Sequence, residues 1–230
     1  MKKASKRFHE IRKRINQNIY PTDEALRLVK ECATAKFSES VEAHISLNIN
    51  PKYANQQLRT SLVLPNGTGK AKRIAVLTET EQISTMLQYG ATIAGAEDLI
   101  EEITLGKLNF DLLITTPEYM PKLAKLGKIL GPKGLMPSPK SGTVSQNLKE
   151  TIAEFKKGKM EYRADKTGIV HINFGNVSFS ENQLKENLLA VYQSIEKNKP
   201  AGVKGKYFKF FTICSTMGPG IPLLLASLRS

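Results

Sequence analysis

The 230-residue chain predicts an α/β fold of two domains, one of them split by the other. Three observations carry that expectation. Residues 41–49, "VEAHISLNI", alternate apolar and polar side chains, the pattern of a half-buried strand. Residues 72–126 instead run short apolar strand, helix, strand, helix, strand, helix, the order of a parallel sheet covered by helices on both faces. From about residue 160 the chain returns to a strand-rich texture. The simplest account makes one α+β domain from both ends, 1–67 plus 159–230. A three-layer αβα domain, 68–158, is inserted in it.

Each element has its own warrant. "KKASKRFHEIRKR" holds seven basic residues and one acid, with Phe8, Ile11 and Ile15 at helical spacing: a basic amphipathic helix. In "YPTDEALRLVKECA", Thr22 or Asp23 is the expected N-cap of a helix whose apolar face is Ala25, Leu28, Val29 and Cys32. "ATAKF" ends that helix. After the 41–49 strand, residues 57–64 form a second, with Leu58, Leu62 and Leu64 on one face and Arg59 on the other. "LPNGTGKAKR" is punctuation. "RIAVLT", "TIAG" and "FDLLIT" are the parallel strands, separated by helices to about Tyr89 and from about Glu97, and Pro117 opens a third helix. A fourth helix is expected from Val144 to Lys157, closed by Gly158. Strands near 160–164 and 168–174, a helix near 180–198 and the strand "KYFKFFTIC" complete the split domain. Gly67 and Gly158 are the expected hinges at the two crossings, since glycine changes φ and ψ cheaply.

Charge narrows the partner. The net charge is +13, and 40% apolar residues suffice for a core. Nucleic acid fits that excess. Membrane does not, because no apolar run approaches the roughly 20 residues a span requires. Residues 68–159 carry 13 basic and 10 acidic side chains, net +3, and the remainder 21 and 11, net +10. The split domain is therefore the electrostatic anchor. Cys32 and Cys214 stand in no paired motif and read as two reduced core thiols. His9, His44 and His171 lack ligand spacing, so neither a metal nor another cofactor is expected.

One loop stands apart. "LGPKGLMPSPKSGT", 130–143, has three glycines, three prolines and no acid. Between Glu118 and Glu150 every charged residue is a lysine, Lys133 and Lys140 among them. A one-sign stretch in an ordered loop suggests an anionic partner. Two readings stand side by side: a preshaped contact for an RNA backbone, or a turn that packs the last helix of the inserted domain.

Enzyme motifs fail. "GTGK" at 67–70 lacks the leading glycine spacing of a phosphate loop, is followed by Ala71 rather than Ser or Thr, and precedes a strand. The first parallel strand runs into "LTETEQ", with no glycine-rich turn for a pyrophosphate. A nucleotide-dependent enzyme built on such a dinucleotide-binding fold is nonetheless the competing hypothesis.

The motifs that remain resemble one family. "KLGKILGPKGLMPSPKSGT" (125–143), "ATAKF" (33–37), "LPNGTGK" (64–70), "YRADKTGIVH" (162–171), "KENL" (185–188) and "STMGPG" (215–220) resemble large-subunit ribosomal protein one, the mobile side-stalk family, in the family's order. The resemblance implies a split α+β domain with an inserted Rossmann-like domain, and a structural protein without catalysis. It implies that the split domain grips large-subunit rRNA. It further implies that the inserted domain reaches toward exit-site tRNA, that the stalk moves as deacylated tRNA leaves, and that the chain can bind and repress its own messenger RNA. Gln57 and Thr60 depart from the commoner asparagine and glycine, Asn66 from histidine and Lys133 from arginine. The "NQQLRT" and "MPSPK" forms resemble the cyanobacterial and plastid branch. No transit segment precedes the first helix, which suits an organelle-encoded protein of the chloroplast stroma, with the cyanobacterial cytoplasm as the alternative. The tail "IPLLLASLRS" resembles the family only poorly and receives no role.

The same resemblance assigns the rRNA site. Thr216 offers a hydroxyl that donates and accepts, as a ribose 2′-OH requires. Met217 offers an apolar contact, Gly218 a close backbone approach, and Pro219 completes the turn. Lys36 and Phe37 follow a helix end; on composition alone Phe37 reads as core. Glu42 shares the polar strand face and can accept from a base edge, and Arg59 meets a phosphate. Asp165 orients Lys166 while Thr167 approaches the backbone. Lys133 and Lys140 form a secondary RNA contact.

Overall fold

The computed structural model describes residues 5–228 and shows a mixed α/β protein. The chain forms two compact units, Met1–Gly69 with Glu161–Ser230, and Lys70–Met160.

The first unit is built on an antiparallel sheet. Strand β1 (Ser40–Leu47) lies between β7 (Ile169–Asn176) and β8 (Phe208–Ser215), and β9 (Ile221–Pro222) is added outside β8. The alternation read from the sequence of β1 holds: Val41, Ala43, Ile45 and Leu47 are buried and the residues between them are not. Their cover is α2 (Thr22–Cys32) and α8 (Glu181–Lys197), which contribute Leu26, Val29, Leu184, Leu188 and Val191 to the core. Helix α8 starts at a full capping box, Ser180 with Gln183. A short helix α1 (Lys6–Arg12) buries Ile11, and the earliest part of the basic segment lies outside the described residues. A separate ribbon pairs β2 (Arg59–Val63) with β6 (Lys159–Arg163).

Two expectations need correction here. Thr22 is the first residue of α2, not its cap: Pro21 precedes it, and the Thr22 hydroxyl bonds Ser227 at 2.8 Å. The tail is also structural. Tyr20 N–H donates to the Pro222 carbonyl at 3.0 Å, Leu224 N–H donates to that of Tyr20 at 2.8 Å, and Ile221, Leu223 and Leu228 are buried. "IPLLLASL" therefore closes the start of α2.

The second unit is a parallel sheet ordered β4-β3-β5, with β3 (Ile74–Leu77) central, β4 (Ile93–Gly95) and β5 (Leu112–Thr115). All four β3 residues are buried because both faces are covered. Ala75, Leu77 and Leu113 pack with α4 (Glu97–Thr104), α5 (Met120–Ala124) and α6 (Gly127–Leu130). Ile74, Val76 and Ile114 pack with α3 (Ile83–Gln88) and α7 (Leu148–Lys157). Helix α7 starts four residues later than expected. Val144 is extended, bridged in parallel to Thr115, and Asn147 caps the helix by accepting from Glu150 N–H.

The two expected hinge glycines both lie in the left-handed region. Gly158 closes α7 in the left-handed region, with φ 110°. Gly67, φ 66°, has its carbonyl held by the amide of Asn187 at 2.9 Å. Asn187, from "KENL", is fully buried; it also donates to the Phe174 carbonyl and accepts from Asn66 N–H, so it knots "LPNGTGK" to the first unit.

Candidate nucleic-acid interface

The first unit leaves one sheet face uncovered. On β1 it presents Ser40, Glu42, His44 and Ser46. Glu42 stands between Asn173 and Cys214, His44 between His171 and Thr212, and Ser46 between Ile169 and Phe210. The predicted residues of the first unit gather towards the two ends of this face, roughly 20 Å apart at about 3.3 Å per residue.

At the first end, antiparallel pairing joins two remote motifs. Thr216 N–H donates to the Ser40 carbonyl at 3.0 Å, so "STMGPG" lies beside the segment that follows "ATAKF". Glu39 locks them together. Its side chain is 1% exposed, Oε1 accepts from Ala35 N–H and Oε2 from Met217 N–H, both at 2.9 Å. Burial pushes its carboxyl up, but these two donors, the Ser215 hydroxyl and the nearby Arg7 charge outweigh that and hold it below the usual carboxylate value. Arg7, on α1, donates to the Thr34 hydroxyl and the Met217 carbonyl. Held this way, Lys36 is exposed, Phe37 is 52% exposed and Met217 50%. Phe37 is thus not core. The Thr216 hydroxyl already accepts from Ser40 N–H at 3.0 Å and donates to the Ser40 carbonyl at 3.3 Å, leaving it a second lone pair. A Cβ on Gly218 would stand 2.5 Å from the Ser215 hydroxyl, and Pro219 is buried, so this turn has little room for other residues.

At the second end, the β6–β7 turn is organised by Asp165. Its carboxylate accepts from Ile169 N–H and Thr167 N–H, both at 2.8 Å, and from the Thr167 hydroxyl at 2.7 Å. Those bonds, led by that from Ile169, hold its pKa at about 2. Asp165 therefore orients Thr167 rather than Lys166, whose side chain is exposed. A groove of about 240 Å³ runs past Arg59, Arg163, Asp165 and Lys166. Arg59 is ion-paired with Glu161. Arg163, an exposed cation in the same groove, escaped the sequence reading.

Between the ends lies a polar chain. His44 Nδ1 and His171 Nδ1 are 2.8 Å apart, His44 Nε2 is 3.2 Å from Cys214 Sγ, and His171 Nε2 is 3.6 Å from Asp165. Burial, with the charge of Glu42, pushes the Cys214 thiol up to about 11, so it keeps its proton beside His44. Burial and the neighbouring His171 both lower the basicity of His44. Cys214 is thus not the core thiol expected; only Cys32 is buried. The histidines are remote in sequence and only strand register brings them together.

Lys133 and Lys140 are exposed in the second unit, on a loop with its own hydrogen-bond knot: Ser138 N–H donates to the Thr143 hydroxyl at 2.8 Å, the Ser141 hydroxyl donates to the Ser138 carbonyl, and Gly142 turns at φ 70°. The crevice at the carboxyl ends of β3 and β5, where this type of sheet binds nucleotides, is lined by Glu79 and Glu118 with Thr78 and Gln82. Two carboxylates and no glycine turn make a poor seat for a pyrophosphate. Among the described residues no His, Cys, Asp and Glu side chains cluster as a metal site.

Residues 29–219 match the Ribosomal protein L1p/L10e family. The chain belongs to that family. Its relatives include the large ribosomal subunit protein uL1c of Guillardia theta, 60% identical over 229 residues, covering 100% of this chain and 98% of that protein. The uL1c of Phaeodactylum tricornutum is 60% identical over 224 residues, 97% of each. The large ribosomal subunit protein uL1 of Prochlorococcus marinus is 53% identical over 229 residues, covering 100% and 97%. This L1-family chain is thus a structural ribosomal protein and not an enzyme, and it falls with the plastid and cyanobacterial branch.

Proposed function

We propose that this L1-family protein is a component of the large ribosomal subunit and binds its rRNA through the first unit. The observation that carries this reading is the Glu39 clamp. A buried carboxylate fixes two remote loops so that Lys36, Phe37 and Met217 stand exposed beside Thr216. That surface belongs to the unit with most of the positive charge, 21 basic against 11 acidic residues, net +10. Lys36 neutralises phosphates, Phe37 and Met217 meet bases, and Thr216 and Gly218 accept a close ribose on a turn that the buried Pro219 shapes. Glu42 and the groove cations Arg59, Arg163 and Lys166 continue the contact along the open face, with Asp165 and Thr167 shaping the second end.

The second unit, with Lys133 and Lys140 on a preformed loop, contacts exit-site tRNA and assists release of the deacylated molecule as part of the mobile side stalk. The units act as separate domains that turn about the two crossings of the chain. Free copies bind their own messenger RNA and repress it. The identities to uL1c proteins favour the ribosome of the plastid stroma and an organelle-encoded chain.

Co-sedimentation with plastid-type large subunits at high salt tests the reading, together with filter binding to the isolated side-stalk rRNA. The chain is expected to pellet with the subunit and to retain the rRNA. A chain that washes free and does not retain that rRNA would overturn the proposal.

A further inference from the structure

The sequence "KYFKFFTIC" places four aromatic residues close together, and the structure treats one of them differently. Tyr207, Phe208 and Phe211 are buried, whereas Phe210 is 72% exposed. Phe210 alternates outward with Thr212 and Cys214, and a bulge on its other side returns Phe208 to the core. Ser46 pairs with Phe210 and Leu47 with Phe208, so Lys209 is one residue more than β1 can match. Such an insertion breaks the inward–outward alternation and re-aims a side chain. Here it lets Phe208 face the core and stack on Tyr192, while Lys209 and Phe210 are left exposed side by side.

The surroundings of Phe210 are those of a nucleic-acid platform rather than an apolar docking patch. It shares its row of the open face with Ser46 and Ile169, and the next row holds His171, His44 and Thr212. Ile169 is bonded to Asp165, in the turn that carries Lys166 on the groove with Arg59 and Arg163. Two strand spacings, about 10 Å, separate the β8 ring from β7. Six residues of β8, about 20 Å, separate it from Thr216. A ring on an open sheet face, hydroxyl and imidazole groups beside it and cations at its edge form the arrangement on which proteins stack unpaired bases.

We infer that Phe210 is a stacking platform for an unpaired base of the bound RNA, with Lys209 on the adjoining phosphate. The inference rests on the rRNA-binding reading and extends its contact from the Thr216 end to the far end of the sheet face.

The experiment compares wild type, Phe210→Tyr, Phe210→Ala and Lys209→Ala. It measures binding to the isolated side-stalk rRNA at several salt concentrations and confirms each fold by circular dichroism. Phe210 is exposed, so all variants are expected to fold. Phe210→Ala should lose about 5- to 100-fold in affinity with an unchanged salt slope. Phe210→Tyr should bind as wild type, and Lys209→Ala should flatten the slope of log affinity against log salt by up to about 0.9. If wild type binds and Phe210→Ala binds equally well, the stacking role is refuted while the rRNA reading stands. If Phe210→Tyr is as weak as Phe210→Ala, stacking is likewise refuted. If wild type does not bind the rRNA at all, the functional reading falls and takes this inference with it.

Discussion

Replacing Glu39 by glutamine changes one atom and removes a charge, yet it should loosen one of the two RNA-facing loops. Glu39 accepts two backbone N–H bonds with its two oxygens, at 2.9 Å each, in a site with almost no solvent. Glutamine keeps one acceptor. Its NH₂ group must then face either Ala35 N–H or Met217 N–H, donor against donor. A buried donor left unpaired costs about 1–3 kcal/mol, and a bond to a charged group contributes about 1.5–3 kcal/mol. An expected loss of about 2–3 kcal/mol follows, local to the clamp. Amide hydrogen exchange reads it directly: at 1.4 kcal/mol per factor of ten, protection at Ala35 or Met217 should fall roughly 30- to 150-fold. Protection in the parallel sheet of the second unit should not change. Glu39→Gln with wild-type protection at both amides would refute the clamp.

Thr216→Val removes the acceptor for Ser40 N–H and should cost about 1–2 kcal/mol in denaturant stability besides weakening rRNA binding at an unchanged salt slope; Thr216→Ser should restore both. Lys133→Ala should lower RNA affinity modestly and flatten the salt slope by up to about 0.9 in filter binding, and an unchanged slope would return that loop to a purely structural part. His44 has a folded pKa below its unfolded value, so the unfolded chain binds its proton first as pH falls. Stability should therefore drop from pH 7 downward through the folded value, by at most about 1.4 kcal/mol per pH unit, and His44→Gln should shrink that drop in urea titrations at pH 7.5 and 5.5.

Local periodicity made most elements legible. The β1 alternation, the buried runs of the parallel strands and the Gly158 stop follow from patterns a few residues long. The misreadings share a non-local cause. Val144 carries no helix-breaking signal, yet a parallel bridge to Thr115 holds it extended. Thr22 looks like a cap, but its hydroxyl is used by Ser227, about two hundred residues away. Cys214 reads as core from the sequence and Phe210 has no assigned face, yet both alternate outward within β8; which face that is emerges only when β8, with its bulge at Lys209, is laid against β1. For the candidate site, "STMGPG", "ATAKF" and "ADKTG" could be read as motifs. Glu39 could not, since a lone glutamate in "FSES" reveals nothing of the two amides it holds.

The central claim is that RNA lies along the open face of the first unit, between the Glu39 clamp and the Asp165 turn. Hydrogen exchange of the full chain, free and saturated with the isolated side-stalk rRNA, measures this most directly. The account predicts new protection at residues 35–42, 165–169 and 209–219, with the core amides of β3 and β5 unchanged. Protection confined to Lys70–Met160, with residues 209–219 exchanging as in the free protein, would contradict it.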